Sequence, residues 1–425
     1  MAWQSWRARF TREALGRSFS ALRVADYRHW SFAQLLSGSG GAAAQIAMAW
    51  VVVLLGGDGV ALGAVTACMM LPTLLLGPVI GGVVDRYPRA TVLLVTAVAQ
   101  MVVTATIAAL LFAGALQLWM LLALALAHGV AFAVDNPARQ LLVMDLVGRA
   151  RITGAISMNE VIINGSRVVG PAVAGALLAV ATPAWCFVFG VASFVPSLVV
   201  LWRLRRRLPG AASARQATEP LPDASVPMRP WAFVRSTPPV RATLLLAVCS
   251  AAAFNIAVVV PLIVADVFQA DGSVYGALAV AFGLGALPGA VFSATGPITP
   301  HGEEVRVLAL VMAIAVLASA AAPSPLWLGA GLAVLGAAVM WFIARANALV
   351  MLSSPEAIRG RVMAIWAMAM PGSTVITGML VGLAADLIGP RWAFATVGVG
   401  TLLILAFCWT SLRSRDAAAQ ADLPR

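Results

Sequence analysis

Along the 425 residues, polar positions are sparse and clustered, and they divide the chain into long apolar runs. Each run is close to the roughly 20 residues that a helix needs to cross a bilayer. Twelve spans are predicted, six of them at residues 31–55, 61–84, 90–114, 118–134, 154–180 and 185–202. The other six are at 242–265, 274–295, 305–321, 326–344, 362–387 and 392–412. Backbone donors and acceptors in lipid must be satisfied within their own segment, so these runs are read as helices. A transmembrane barrel would instead show alternating segments of about 10 residues, a pattern this chain lacks.

The polar stretches then suggest an organisation. Residues 1–30 form a charged N-terminal tail, 31–203 a first six-helix bundle, 204–241 a linker, 242–412 a second six-helix bundle and 413–425 a C-terminal tail. Pro209, Pro220, Pro222, Pro227 and Pro230 mark the linker as a connection rather than a span. A weak internal repeat supports the division. Ala138-Arg139 at the end of span 4 is followed by Arg149 and Arg151, and Ala344-Arg345 at the end of span 10 by Arg359 and Arg361. Gly170-Pro171 in span 5 has a rough counterpart in Pro371-Gly372 in span 11. For a transporter, two such halves imply a site at their interface near mid-bilayer.

Composition agrees with a membrane protein. The chain is 61% hydrophobic and 11% charged, whereas a soluble fold carries roughly 25% charged residues. The net charge of +11 comes entirely from arginine, because lysine is absent. The arginines gather in the tails, the linker and alternate short loops. The opposite loops, around Asp58, Gln117, Thr182, 266–271, Ser324 and 386–391, contain Arg391 alone. This bias places both termini in the cytoplasm. It makes lipid head groups an incidental partner and argues against nucleic acid. Cys68, Cys186, Cys249 and Cys408 lie inside apolar runs without paired spacing, so they read as packing residues rather than a disulfide framework or metal site. A chain without lysine cannot build a phosphate-binding loop of the Gly-Lys type. No enzyme, cofactor or metal chemistry is expected, and energy would come from an ion or substrate gradient.

Between spans 2 and 3 lies Gly81-Gly82-Val83-Val84-Asp85-Arg86-Tyr87-Pro88-Arg89, read as a tight charged turn. Small Gly81 and Gly82 let the spans approach closely. Pro88 suits the first turn of a helix, and Asp85 can face a helix N-terminus. Any short cytoplasmic loop tends to carry arginine, but that does not account for the joint spacing of Gly81, Asp85, Arg86 and Arg89.

Span 5 carries the main intramembrane polar cluster. Glu160, Asn164 and Arg167 are four and three residues apart and share one helical face. An arginine at mid-helix costs about 2.5–3.5 kcal/mol on insertion scales, so it should face a partner or water. Two readings stand: Glu160 carries a coupling proton, or Glu160 and Arg167 fix helix packing. Asp135 is a reserve proton carrier, set against a structural i,i+4 pair with Arg139. Gln34, Gln45, Asn255, Thr374 and Thr377 either line a cavity or hydrogen-bond neighbouring helices. Trp341, with Trp366 and nearby methionines, either offers an adaptable apolar surface or faces lipid.

The spacing in 81–89 resembles motif A of the major facilitator superfamily. Leu22-Arg23, Asp26 to Trp30, Asp135 to Gln140, Asn164, Arg167, Gly170-Pro171 and Arg359-Gly360-Arg361 are similar to the enterobactin-exporter and macrolide-efflux subgroup. The resemblance implies an all-α membrane fold of twelve helices in two pseudo-symmetric bundles. It also implies that Asp85 meets the cytoplasmic end of span 11 near Arg359 and Arg361 and closes that side. The corresponding second-half loop, 296–306, lacks the Asp-Arg pair, and Gly165 with Gly170-Pro171 matches the antiporter motif loosely. The expected activity is export of a small organic compound (an antibiotic, secondary metabolite or siderophore) across the inner membrane. A monomer would work by alternating access in exchange for protons. Import on the same fold is the alternative, and a membrane receptor or assembly protein without transport is a remoter one.

Overall fold

A computed structural model describes residues 21–148, 152–207, 230–295 and 300–412. Among the described residues every regular element is helical. A short 3-10 turn precedes α1 (Ala25–Leu54), α2 (Gly59–Leu75), α3 (Gly77–Arg86), α4 (Arg89–Phe112), α5 (Leu118–Val147), α6 (Ile152–Val180) and α7 (Ala184–Arg207). Then come α8 (Pro230–Ser236), α9 (Pro238–Phe254), α10 (Ile256–Leu262), a π-turn (Ile263–Val267), α11 (Gly272–Thr295) and α12 (Gly302–Ala320). The chain continues through α13 (Pro325–Ser353), α14 (Glu356–Ile388) and α15 (Pro390–Cys408). Nine helices among the described residues are long and apolar enough to cross a membrane, and Gly59–Leu75 and Gly372–Ile388 are shorter apolar helices.

Several boundaries differ from the sequence expectation, each for a local reason. The first helix starts at Ala25 rather than residue 31, because polar residues after a helix start do not end it. Asp26 lies in its first turn, where a negative charge suits the dipole, and pairs with Arg207 of α7 at 3.3 Å. Beyond residue 134, the expected end of span 4, α5 continues as helix to Val147 with Pro137 inside it. Span 2 is broken at Leu76, just before Gly77-Pro78, into α2 and α3. Most of segment 81–89 is therefore helix, and the turn proper is Tyr87-Pro88. Span 7 is broken at Asn255 and ends in the π-turn.

The chain forms two compact units. The first comprises Met1–Gly57, Cys68–Thr218 and Ala270–Val280; the second comprises Asp58–Ala67, Glu219–Gln269 and Ala281–Arg425. In the first, α1 packs on α6 and α7, and α4 packs on α5 and α7. Tyr27, Trp30, Leu93, Leu142, Leu201 and Leu204 form its buried cluster. In the second, α12 packs on α13 and α15, and α9 on α14. Val305, Phe342, Val350, Val362, Trp366 and Leu412 are among its buried residues.

Helices surrounded by lipid gain little from hydrophobic burial against each other, so close backbone approach has to hold them. A Cβ on Gly170 of α6 would lie 2.6 Å from the Ser39 carbonyl oxygen of α1. On Gly285 of α11 it would lie 1.8 Å from that of Ala333 on α13. Conversely, Leu326, Leu403 and Phe407 are largely exposed to the surroundings, as lipid-facing positions should be. Trp119, Trp185, Trp327 and Trp392 are exposed near helix starts, where indoles suit the membrane–water boundary.

Candidate functional site

Within the first unit, the motif segment places Arg89 at the start of α4, with Pro88 as its N-cap at φ −57° and ψ 125°. Arg89 pairs with Asp145 near the end of α5. Each charge sits at the unfavourable end of its own helix dipole. Across the pair, however, Asp145 faces the start of α4 and Arg89 faces the end of α5, so each offsets the other helix's terminus. The Arg86 guanidinium lies 5.9 Å from the Tyr87 ring. The backbone of Gly81 and Asp85 is part of α3, while the side chain of Asp85 lies outside the described residues.

Asp135 is buried on α5. It accepts the Thr96 hydroxyl of α4 at 3.3 Å and is ion-paired with Arg139 one turn along. In the second unit, the repeat-related Arg345 makes a different choice and reaches across to α12. Its Nε donates to Glu304 Oε2 at 2.8 Å, and Trp341 Nε1 donates to Glu304 Oε1 at 3.2 Å. Trp341 also lies 5.5 Å from the Phe292 ring. The indole proposed for a ligand cavity thus helps to hold a buried ion pair. Arg306 pairs with Glu303 at 3.0 Å and stacks 4.2 Å over Trp409. Sequence reasoning passed over Glu304. The available signal was the i,i+4 spacing of Trp341 and Arg345, which gives one acid two donors on a single face.

The polar face of the first unit runs along α1 and α6. Gln34 and Asn164 are buried, and Arg167 is half-buried. Ser37 donates to Gln34 Oε1 at 3.2 Å, Ser197 to Ser37 at 3.1 Å, and Ser166 to the Leu35 carbonyl at 3.2 Å. Arg167 approaches Asn164 Oδ1 at 3.4 Å. Glu160 lies on the same continuous helix, but its side chain is outside the described residues. Gln45 is exposed on α1.

The second unit has its own polar junction. At the break in span 7, Asn255 Nδ2 donates to the Thr374 carbonyl at 3.2 Å and to Thr377 Oγ1 at 3.0 Å, both on α14. Thr377 in turn donates to the Ser373 carbonyl. Arg359 donates from Nε to the Ser354 carbonyl at 3.3 Å, and Arg361 is exposed. Among the described residues, no three His, Cys, Asp or Glu side chains gather as a metal site.

Polar groups buried within membrane-spanning helices mark functional positions by default. The sequence pattern of one family, described as transmembrane secretion effectors, matches residues 16–424. The chain belongs to this family.

This major facilitator transporter is 34% identical over 137 residues to the staphyloferrin A transporter of Staphylococcus aureus (strain NCTC 8325 / PS 47), which is 32% of the chain and 34% of that relative. It is 29% identical over 136 residues to the MFS-type transporter YfiS of Bacillus subtilis (strain 168), covering 32% of the chain and 31% of the relative. The chain thus spans about a third of the length of these relatives. Among solved structures, a bacterial homologue of the lysosomal transporter Spinster superposes with a TM-score of 0.72 at 13% identity, over 92% of this chain and 97% of the other. The nucleoside transporter NupG superposes at 0.71 and 11% identity, over 92% and 100%. A D-xylose–proton symporter superposes at 0.65 and 15% identity, over 91% and 97%. These likenesses show the major facilitator fold, and the chain is a multi-pass membrane protein of that fold.

Proposed function

We propose that the transporter exports a medium-sized, partly apolar organic compound of the antibiotic, secondary-metabolite or siderophore class. It works in the inner membrane as a monomer with both termini cytoplasmic. The observation that carries this reading is the match to secretion effectors along residues 16–424. The partial likeness to a staphyloferrin A transporter supports the siderophore end of the range.

Transport proceeds by alternating access, with residues 1–203 rocking against 241–425. Gln34, Asn164 and Arg167 in the first half, and Asn255, Thr374 and Thr377 in the second, are the candidate substrate contacts. Protons drive export by antiport, with Glu160 as the carrier; its place on the Asn164–Arg167 face supports this role. Asp135 is the less suitable carrier, because its carboxylate is already engaged by Arg139 and the Thr96 hydroxyl. Asp85 closes the cytoplasmic side against the start of α14, near Arg359 and Arg361.

The test is transport in inside-out vesicles bearing the full chain, with candidate siderophores and antibiotics and an imposed proton gradient. Uptake that a protonophore abolishes, and that Glu160→Gln uncouples from pH, supports the reading. Accumulation in right-side-out vesicles down the opposite gradient identifies an importer instead.

A further inference from the structure

The loop around Asp58 and the end of α14 belong to the Arg-poor side of the chain, and there one helix start carries two acidic caps. Asp58 is the ordinary one, accepting the Ala61 N–H at 2.8 Å. The second comes from 327 residues away. Asp386, near the end of α14, accepts the Gly59 N–H at 2.6 Å on Oδ1 and the Val60 N–H at 2.9 Å on Oδ2. The first amide groups of a helix have no partner within it, so this carboxylate answers a real deficit. At its own helix terminus the Asp386 charge is unfavourable; against the start of α2 it is favourable.

The two helices touch along glycines spaced by four, Gly59 and Gly63 on α2 and Gly378 and Gly382 on α14. A Cβ on Gly382 would lie 2.1 Å from the Gly59 carbonyl oxygen, and one on Gly63 would lie 2.7 Å from that of Gly378. Segment Asp58–Ala67 accordingly groups with the second unit, away from most of the first-half helices.

We infer that Asp386 is a positioning residue for transport: a detachable cap that holds the outer ends of spans 2 and 11 together while the outer side is closed. The inference rests on the alternating-access reading. Rocking the halves outward parts Gly59 from Gly382, so the Gly59 and Val60 amides must exchange Asp386 for water. Asp386 and Asp58 are both exposed, so water is at hand for that exchange. Asp58 stays with α2 throughout and keeps its first turn capped in either state. A single cap would have to choose between stabilising the helix and releasing it; two caps divide those tasks.

The experiment is pulsed distance measurement on the full chain in liposomes, with its four native cysteines replaced and spin labels at Leu55→Cys and Leu387→Cys, both exposed positions. The unsubstituted Asp386 chain is expected to show a short and a long separation, the long one growing with ligand and proton gradient. Asp386→Asn should raise the long population by about two- to fivefold, the scale of one exposed charge-assisted contact, and Asp386→Glu should restore much of the short one. If Asp386→Asn lowers folded yield, Gly382→Ala, which wedges the same contact, serves as the second variant and should shift the balance the same way. Two separations with unchanged populations in both variants overturn the cap while leaving alternating access intact. A single separation under every condition overturns alternating access, and the cap with it.

Discussion

The Glu304 carboxylate of α12 holds Arg345 of α13 through Nε at 2.8 Å. Its other oxygen accepts the Trp341 indole N–H. The Arg345 side chain is 6% exposed and that of Glu304 20%, so the pair is paid for by mutual satisfaction rather than by water.

Removing one partner should therefore be costly. Glu304→Ala is expected to destabilise the protein by about 2–4 kcal/mol, near the range for breaking a buried pair. Trp341→Phe removes one hydrogen bond and should cost about 1 kcal/mol. Thermal unfolding of the detergent-solubilised protein checks both, and a Glu304→Leu/Arg345→Leu double variant should recover most of the loss.

The Arg89–Asp145 pair is more exposed, at 21% and 36%. Arg89→Ala should cost no more than about 1 kcal/mol in stability. Transport is the more sensitive readout if the motif segment acts in gating: turnover should fall while ligand affinity holds. Swapping the charges, Arg89→Asp with Asp145→Arg, should restore the contact and set each charge at the favourable end of its own helix, so stability and turnover should both recover.

Asn255 supports the interruption of span 7 by bonding α14. Replacing it with Leu removes both of its hydrogen bonds to α14 from a largely buried junction, at about 0.5–1.5 kcal/mol each. Asn255→Asp retains the size and loses the amide donor, so it separates packing from hydrogen bonding. Unfolding curves for the two variants, with ligand binding measured alongside, check the expectation that Asp, which sets a carboxylate against the Thr374 carbonyl oxygen, is the worse substitute.

Asp271 caps α11, accepting the Ser273 and Val274 N–H groups at 3.0 and 3.4 Å. The Ser273 hydroxyl, and then these amides, hold its carboxyl below the ordinary aspartate value. A lowered folded-state pKa gives stability that is present above the unfolded value and lost as pH falls through the folded one. The difference in melting temperature between the unsubstituted protein and Asp271→Asn should accordingly be steady at neutral pH and vanish in strong acid. Solvent exposure keeps the contribution near the low end for a cap, about 0.5 kcal/mol.

Much of the fold was legible in the run lengths, because lipid permits few alternatives to an apolar helix. The helix ends were less so. Asp26, Arg28 and His29 read as tail although they are helical, since polarity marks where lipid stops and not where a helix does. The breaks at Leu76 and Asn255 are hidden inside apolar sequence. Arg139 could be read from its neighbour Asp135 four residues away, and the pair is present. Glu304 and Arg345 are 41 residues apart, and the i,i+4 spacing of Trp341 and Arg345 marks only the donor side; Asp386 and Gly59 are 327 residues apart and leave no periodic trace.

At 30 residues, α5 is a rod about 45 Å long in a hydrocarbon layer about 30 Å thick. Its apolar part begins at Leu118, so the surplus lies at the Val147 end and stands in water. Asp145 and its arginine partner therefore sit where mobile ions reach them, within a Debye length of about 8 Å at physiological salt. The ionic strength of the adjoining compartment becomes a control on this corner of the protein, one that neither lipid composition nor membrane thickness can supply.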